Sequence, residues 1–208
     1  MKKYMFLFVA LLVAQAAQAQ EPGKFYVFGQ LGAAKVDIDQ AGNDAALRSA
    51  GATGLSSTVT DTAGAVMIGA GFRFVPHASI EVGYLATSDF EYKATFAQGT
   101  ASEKDSGHAF GLNVAGYLPV AEKIELYGKL GIWSVHVDDT VTISAAGFLQ
   151  QSASSSNTTP MIGLGVDFKI TPQLSARLEY DHFTKVGDDS TIGSSKLDFA
   201  SGGIAVSF

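Results

Sequence analysis

Four acids and four bases recur at every second position of otherwise apolar segments: Arg73, Glu81, Glu125, Lys129, Asp167, Lys169, Arg177 and Glu179. Alternation of this kind collects side chains on one face of an extended strand. Carboxylates brought together are the raw material of acid–base catalysis. Glu81 and Asp167, however, each have an arginine within reach, which keeps them ionised instead of poised near neutrality. The balance of signs points to mutual neutralisation. The histidines add little: His77 lies in a turn, His108 and His136 near one rim, and His182 at the end of an apolar series. His182 could act at a lipid headgroup, but Phe183 and Thr184 follow it and no serine stands two positions on, so an interfacial aromatic is the better reading. Gly163-Leu164-Gly165 is mid-strand and lacks the third glycine of a phosphate loop. No metal-ligand spacing is visible. The expectation is no catalytic residue, no metal and no cofactor.

The elements that must hold those charges read as strands. Phe25, Val27, Leu31 and Ala33 alternate with Tyr26, Phe28, Gln30 and Gly32. The same period of two runs through Val66–Phe74, Ile80–Tyr84, Phe110–Ala115, Ile124–Trp133, Ile162–Lys169, Leu174–Asp181 and the closing LDFASGGIAVSF. Each segment is about as long as a tilted membrane strand needs. The connections alternate in length. Val75–Ala78, Leu118–Lys123 and Ile170–Gln173 are short, whereas Asp37–Ala63, Thr87–Gly107, Asp138–Thr158 and Phe183–Lys196 are long and rich in Ser, Thr, Asp, Ala and Gly. Short turns on one side and long loops on the other are the signature of an outer-membrane barrel. Asn43–Ala50 suits a helical turn on the surface of the first loop.

A lipocalin-like soluble barrel also alternates, but it buries the apolar face and exposes charge. Here that arrangement would crowd Phe, Leu and Ile inside and stud the outside with glycine. In lipid the sign inverts, so the apolar face points out and Gly with charge lines the lumen. The fold expected is therefore all-β, an eight-stranded antiparallel up-and-down transmembrane β-barrel.

The N-terminus fits export. Met1-Lys2-Lys3 precedes an apolar run, Tyr4–Ala14, too short to span a bilayer, and Ala17-Gln18-Ala19 gives a small-x-small cleavage pattern. This reads as a signal peptide over residues 1–19, with the barrel over 20–208. Removing Lys2 and Lys3 takes the formal charge from −6 to −8, since residues 1–19 carry no acid. An acidic chain without a basic cluster is a poor nucleic-acid binder. There is no cysteine, so thiol redox chemistry is excluded.

The stretch LGVDFKITPQLSARLEYDHFTKVGDDSTIG, residues 164–193, resembles the transmembrane domain of OmpA-type outer-membrane proteins. SIEVGYLATSDF (79–90), IELYGKLGIWSV (124–135) and FYVFGQLGAAK (25–35) are similar to its other strands, so the resemblance covers nearly the whole mature chain. It implies that Glu81, Asp167 and Arg177 match the family's inward acid, acid and arginine, and that Phe208 is the terminal address read by the barrel-insertion machinery. The chain stops where the typical family member continues into a peptidoglycan-binding domain, so that anchoring is not carried over. HAFGLNVAGY (108–117) lacks an inward lysine that the namesake carries, so its salt-bridge gate is not carried over either.

Eight strands enclose a space that side chains just fill. The eight inward charges are expected to pair there, with Asp181 higher, towards the outer rim. They would form a charged plug or, as the preferred reading, salt bridges that only brace the wall. The function expected is structural and interactive, in the outer membrane of a Gram-negative cell: envelope integrity and loop-mediated binding of a surface ligand, with a low-conductance pore as an extension. Expected partners are outer-membrane lipids and lipopolysaccharide around a monomer. The alternatives are a lipid-modifying barrel enzyme and a soluble periplasmic ligand-binding barrel.

Overall fold

A computed structural model describes residues 23–145, 148–188 and 193–208. The expected leader, its cleavage site and the start at Gln20 lie outside the described residues. Ten strands and one helix follow in order: β1 Lys24–Val36, α1 Gln40–Ser49, β2 Ser56–Thr60, β3 Thr62–Val75, β4 Ala78–Thr87, β5 Phe90–Phe96, β6 Gly99–Ala121, β7 Ile124–Ala145, β8 Phe148–Lys169, β9 Leu174–Asp188 and β10 Gly193–Ser207.

Eight of these form a closed antiparallel ring, β1-β3-β4-β6-β7-β8-β9-β10. Closure is by β1 on β10, with Val27 opposite Val206 and Lys35 opposite Asp198. The Phe208 amide donates to the Phe25 carbonyl at 2.8 Å. Every ring strand thus has a neighbour on both sides, which leaves no open edge for lipid to meet. The turns at residues 76–77, 122–123 and 170–173 are short and share one end of the barrel.

The outer face carries large apolar side chains at two-thirds exposure, among them Leu31, Leu130, Leu164 and Leu178. Such a girdle would be untenable in water and is what a hydrocarbon environment requires. Glu81, Asn113, Lys129, Asp167 and Arg177 are buried on the inner face.

The long connections differ from the expectation. β7 has 22 residues, roughly 70 Å at about 3.3 Å per residue, whereas a tilted membrane strand needs about 9–11. The segments expected as loops over 87–107 and 138–158 are largely strand. Their polarity is reversed relative to the belt. Tyr92, Ala94 and Phe96 point inwards from β5, and Lys93 and Thr95 point outwards. Water now bathes the outside, so the outward positions become polar; the period of two runs unbroken along β6, β7 and β8 and shifts by one residue at Ser88-Asp89 between β4 and β5. β2 pairs with β5, and β5 with β6, which makes an extracellular sheet that rises from the barrel wall. α1 starts three residues before the expected helical turn because Asp39 caps it, accepting from the Gly42 amide at 2.9 Å. Leu47 of α1 packs on Tyr92, Ala94, Phe96 and Ala101, a small apolar cap above the membrane.

Candidate functional site

The lumen is filled in three tiers. Nearest the short turns, Glu125 is held by Arg73 at 3.2 Å and by Lys169 at 3.0 Å. The Arg73 guanidinium lies 3.8 Å above the Tyr117 ring. All three charges stand at strand ends, because β3 and β8 stop and β7 starts at this rim.

In the middle tier Arg177 and Asp167 face each other across the β8–β9 hairpin. The guanidinium donates through Nε and Nη2 to the two Asp167 oxygens, both at 2.9 Å, and through Nη1 to Glu81 Oε1 at 3.2 Å. Glu81 reaches it from β4, the third ring strand, on the opposite wall. Tyr26 donates to the same Glu81 oxygen at 2.6 Å and Tyr117 at 3.3 Å. Lys129 completes the tier, with Glu81 Oε2 at 3.4 Å, Glu179 in direct contact and Asp181 Oδ1 at 3.9 Å. Tyr127 donates to Glu179 at 2.5 Å. The structure thus brings the eight singled-out charges into two groups: Arg73, Glu125 and Lys169, and then Glu81, Lys129, Asp167, Arg177 and Glu179.

Asp181 corrects the sequence reading. It is fully buried beside Lys129, not set apart towards the rim. Parity alone puts it on the inner face with Arg177 and Glu179, and register brings it level with Lys129, since both stand opposite Gly163 of β8. The inward set therefore holds one acid more than the bases.

The upper tier is the larger surprise. Glycine and charge were expected along the whole lumen, but above Lys129 the space is apolar: Trp133, Met67, Phe199, Phe183 and Leu85 are buried together. The indole N–H donates to Asn113 Oδ1 at 2.7 Å, and the ring meets Phe183 edge-on at 5.4 Å. Gly111 makes room for it. A Cβ at that position would stand 2.1 Å from Trp133 Cδ2. Asn113 of β6 is thus the anchor of an indole plug, and the lysine facing Glu81 comes from β7. The single tryptophan at an inward parity position was the available signal.

Above the plug a cavity of about 320 Å³ opens at the outer mouth, lined by apolar Phe90, Val135, Val137 and Phe183 and by acidic Asp37, Glu103 and Asp105. The sequence reading saw no metal-ligand spacing, yet Glu103, Asp105 and Asp139 converge here from two strands. Cross-strand register creates this grouping, and linear spacing does not display it. On the outside, the His182 Nδ1 and Asp198 Oδ1 atoms are 2.6 Å apart, and His108 and His136 rings lie 5.0 Å apart.

Residues 5–208 match the family described as outer membrane protein beta-barrel domain. The chain belongs to that family. Curated relatives are similar over the barrel region. Outer membrane protein A of Shigella flexneri is 27% identical over 128 residues, 60% of this chain and 34% of that protein. Outer membrane protein P5 of Haemophilus influenzae is 25% identical over 115 residues, 52% of this chain and 31% of that one. The chain thus spans about a third of the length of these relatives. Among solved structures, Neisserial surface protein A has a TM-score of 0.56 at 16% identity, with 88% of this chain and 97% of that one covered. Ail, the attachment invasion locus protein of Yersinia pestis, has 0.55 at 14%, with 90% and 100% covered. These likenesses carry the fold of the family, an outer-membrane β-barrel of the OmpA kind.

Proposed function

We propose that this family member is a closed, non-enzymatic barrel whose working surface is the extracellular sheet, contributing to envelope integrity and binding a surface ligand there. One observation carries the reading. The lumen is filled by the Trp133 plug above the Arg177 tier, while β6, β7 and β8 continue far beyond the apolar belt. Material placed outside the membrane and packed around its own apolar cap is a platform, not a pore lining. Monomeric insertion among outer-membrane lipids and lipopolysaccharide, with Phe208 as the terminal address for the insertion machinery, belongs to the same reading. So does removal of residues 1–19.

One structural neighbour, Ail, is described in complex with the heparin analogue sucrose octasulfate. Several outer-surface cations of this chain are already paired: Lys93 with Glu91 at 2.6 Å, Lys104 with Glu91 at 3.7 Å and Lys35 with Asp61 at 3.4 Å. A neutral or cationic ligand therefore suits this sheet better than a sulfated polymer. An enzyme acting on lipid lacks support from His182, which is bonded to Asp198 and to no hydroxyl among the described residues.

The test is binding of intact cells to immobilised host glycans and matrix proteins, with residues 88–106 replaced by a two-residue turn. Binding lost with that sheet, together with silence of the pure protein in planar bilayers, supports the proposal. Frequent conductance by the wild type, or adhesion and detergent resistance unchanged when the whole protein is deleted, would sink it.

A further inference from the structure

The outer mouth of the barrel holds a recess that neither the lumen tiers nor the outward face of the sheet puts to use. Its volume is about 320 Å³. That is the lower end of the range for small-ligand pockets, roughly 300–1,000 Å³. The floor is assembled from across the ring: Leu85 comes from β4, Val135 from β7, Phe183 from β9 and Leu197 from β10. None of the four is more than 6% exposed. The recess therefore belongs to the barrel interior and is not a dimple in one sheet. Trp133 closes it below, its ring edge-on to Phe183 at 5.4 Å, so an occupant enters only from outside.

The walls carry charge of one sign. Asp37 follows β1, Asp39 caps α1, and Glu103 and Asp105 stand on β6. Among the described residues no lysine or arginine lines the recess, and His108 turns its ring to His136 on the outside. Lys35, Arg48, Lys93 and Lys104 are engaged elsewhere, by Asp61, Asp44 and Glu91. Acids set in apolar walls of low dielectric focus a negative potential on the space between them. Burial and the neighbouring Asp139 push the Glu103 and Asp105 carboxyls up, as expected of negative charge that no base offsets.

An apolar floor under an anionic wall sets two demands on one occupant: hydrocarbon to cover the floor and a positive charge to face the acids. A metal ion meets only the second, and a neutral or anionic lipid tail only the first. Phe90, Tyr92 and Phe183 add three aromatic rings, the kind of side chain that holds ammonium groups. We propose that the recess binds a small lipophilic ammonium compound, its apolar body on the Leu85–Val135–Phe183–Leu197 floor and its cationic head towards Asp37 and Glu103. Adhesion by the sheet is read on cells and this pocket on the pure protein, so each can fail without the other.

The experiment uses the full mature chain folded in a nonionic detergent at a pH of about 8, where a carboxyl raised to about 7 is ionised. The probe is phenyltrimethylammonium. Its uncharged isostere, tert-butylbenzene, and an anion of similar size, benzenesulfonate, are the comparisons. Binding is read by calorimetry against empty micelles, and by the emission of Trp133, which touches the Phe183 floor. The cation should fill one saturable site at least about tenfold more tightly than the isostere, and the anion should not bind. Asp37→Asn and Glu103→Gln should each weaken the cation about fivefold and leave the isostere unchanged, while Asp61→Asn, at the exposed Lys35 pair, should alter neither. Val137→Phe, which fills the recess, should abolish binding. Fold is checked by the faster unheated gel band, and should Val137→Phe not fold, Ala109→Leu on the same lining takes its place. No saturable binding of the cation overturns the proposal. Equal affinity for the isostere marks an apolar or detergent-tail pocket and overturns it too, as does cation binding that survives filling of the recess.

Discussion

Truncating Arg177 to alanine isolates the electrostatics of the middle tier. The guanidinium supplies both hydrogen bonds described for Asp167, at 2.9 Å each. Glu81 is better insured, since Lys129 at 3.4 Å and Tyr26 at 2.6 Å remain. The cost therefore falls on Asp167, which is 4% exposed. Orphaning one member of a buried pair costs ~3–5 kcal/mol. With a urea slope of about 2 kcal/mol/M, a loss near 3 kcal/mol moves the unfolding midpoint down by roughly 1.5 M. Adding Asp167→Asn removes the stranded charge and should return about half of that, leaving the ~1–2 kcal/mol of lost packing. Trp133, the only tryptophan, reports the transition by fluorescence. Because the indole plug lies above this tier, Arg177→Ala alone should stay silent in planar bilayers, and conductance should need Trp133→Ala as well. A midpoint shift under about 0.3 M, or a double variant less stable than the single, would refute the idea that Asp167 depends on Arg177.

Gly111→Val should force the indole out of the plug, lowering stability by about 2–4 kcal/mol in urea titrations and exposing Trp133 to acrylamide quenching, since even a Cβ there meets the ring at 2.1 Å. Deleting Phe208 should reduce the folded fraction in cells, read from the unheated gel band, beyond what loss of one Phe25 carbonyl contact explains. Mass spectrometry of the outer-membrane protein should find Gln20 as its first residue, and an intact Met1 would contradict export. The Asp105 carboxyl, raised from 3.8 to about 7 by burial beside Asp139 and Glu103, contributes stability that is full below about 4 and lost as pH rises through about 7. Amide exchange in β5 and β6 should therefore speed up over that window, and Asp105→Asn should flatten the profile.

The period of two in eight segments was enough to read the ring, its short turns and the inward parity of Arg73, Glu81, Lys129 and Arg177, because side-chain direction in a strand depends only on residue count. The same parity brings Asp167 opposite Arg177 across one short turn, a local relation that sequence displays. Above the belt the period persists through Val135, Val137, Val141 and Ile143, but composition there reads as loop, because water replaces lipid outside and the polarity of the two faces exchanges. Which solvent bathes a given strand segment is a property of the assembled barrel, not of the segment. The row that levels Asp181 with Lys129 across Gly163, the indole seated over Gly111, and the register that sets Asp105 against Asp139 all depend on how neighbouring strands slide past one another. That offset is decided only when the ring closes, and no single stretch of chain carries it.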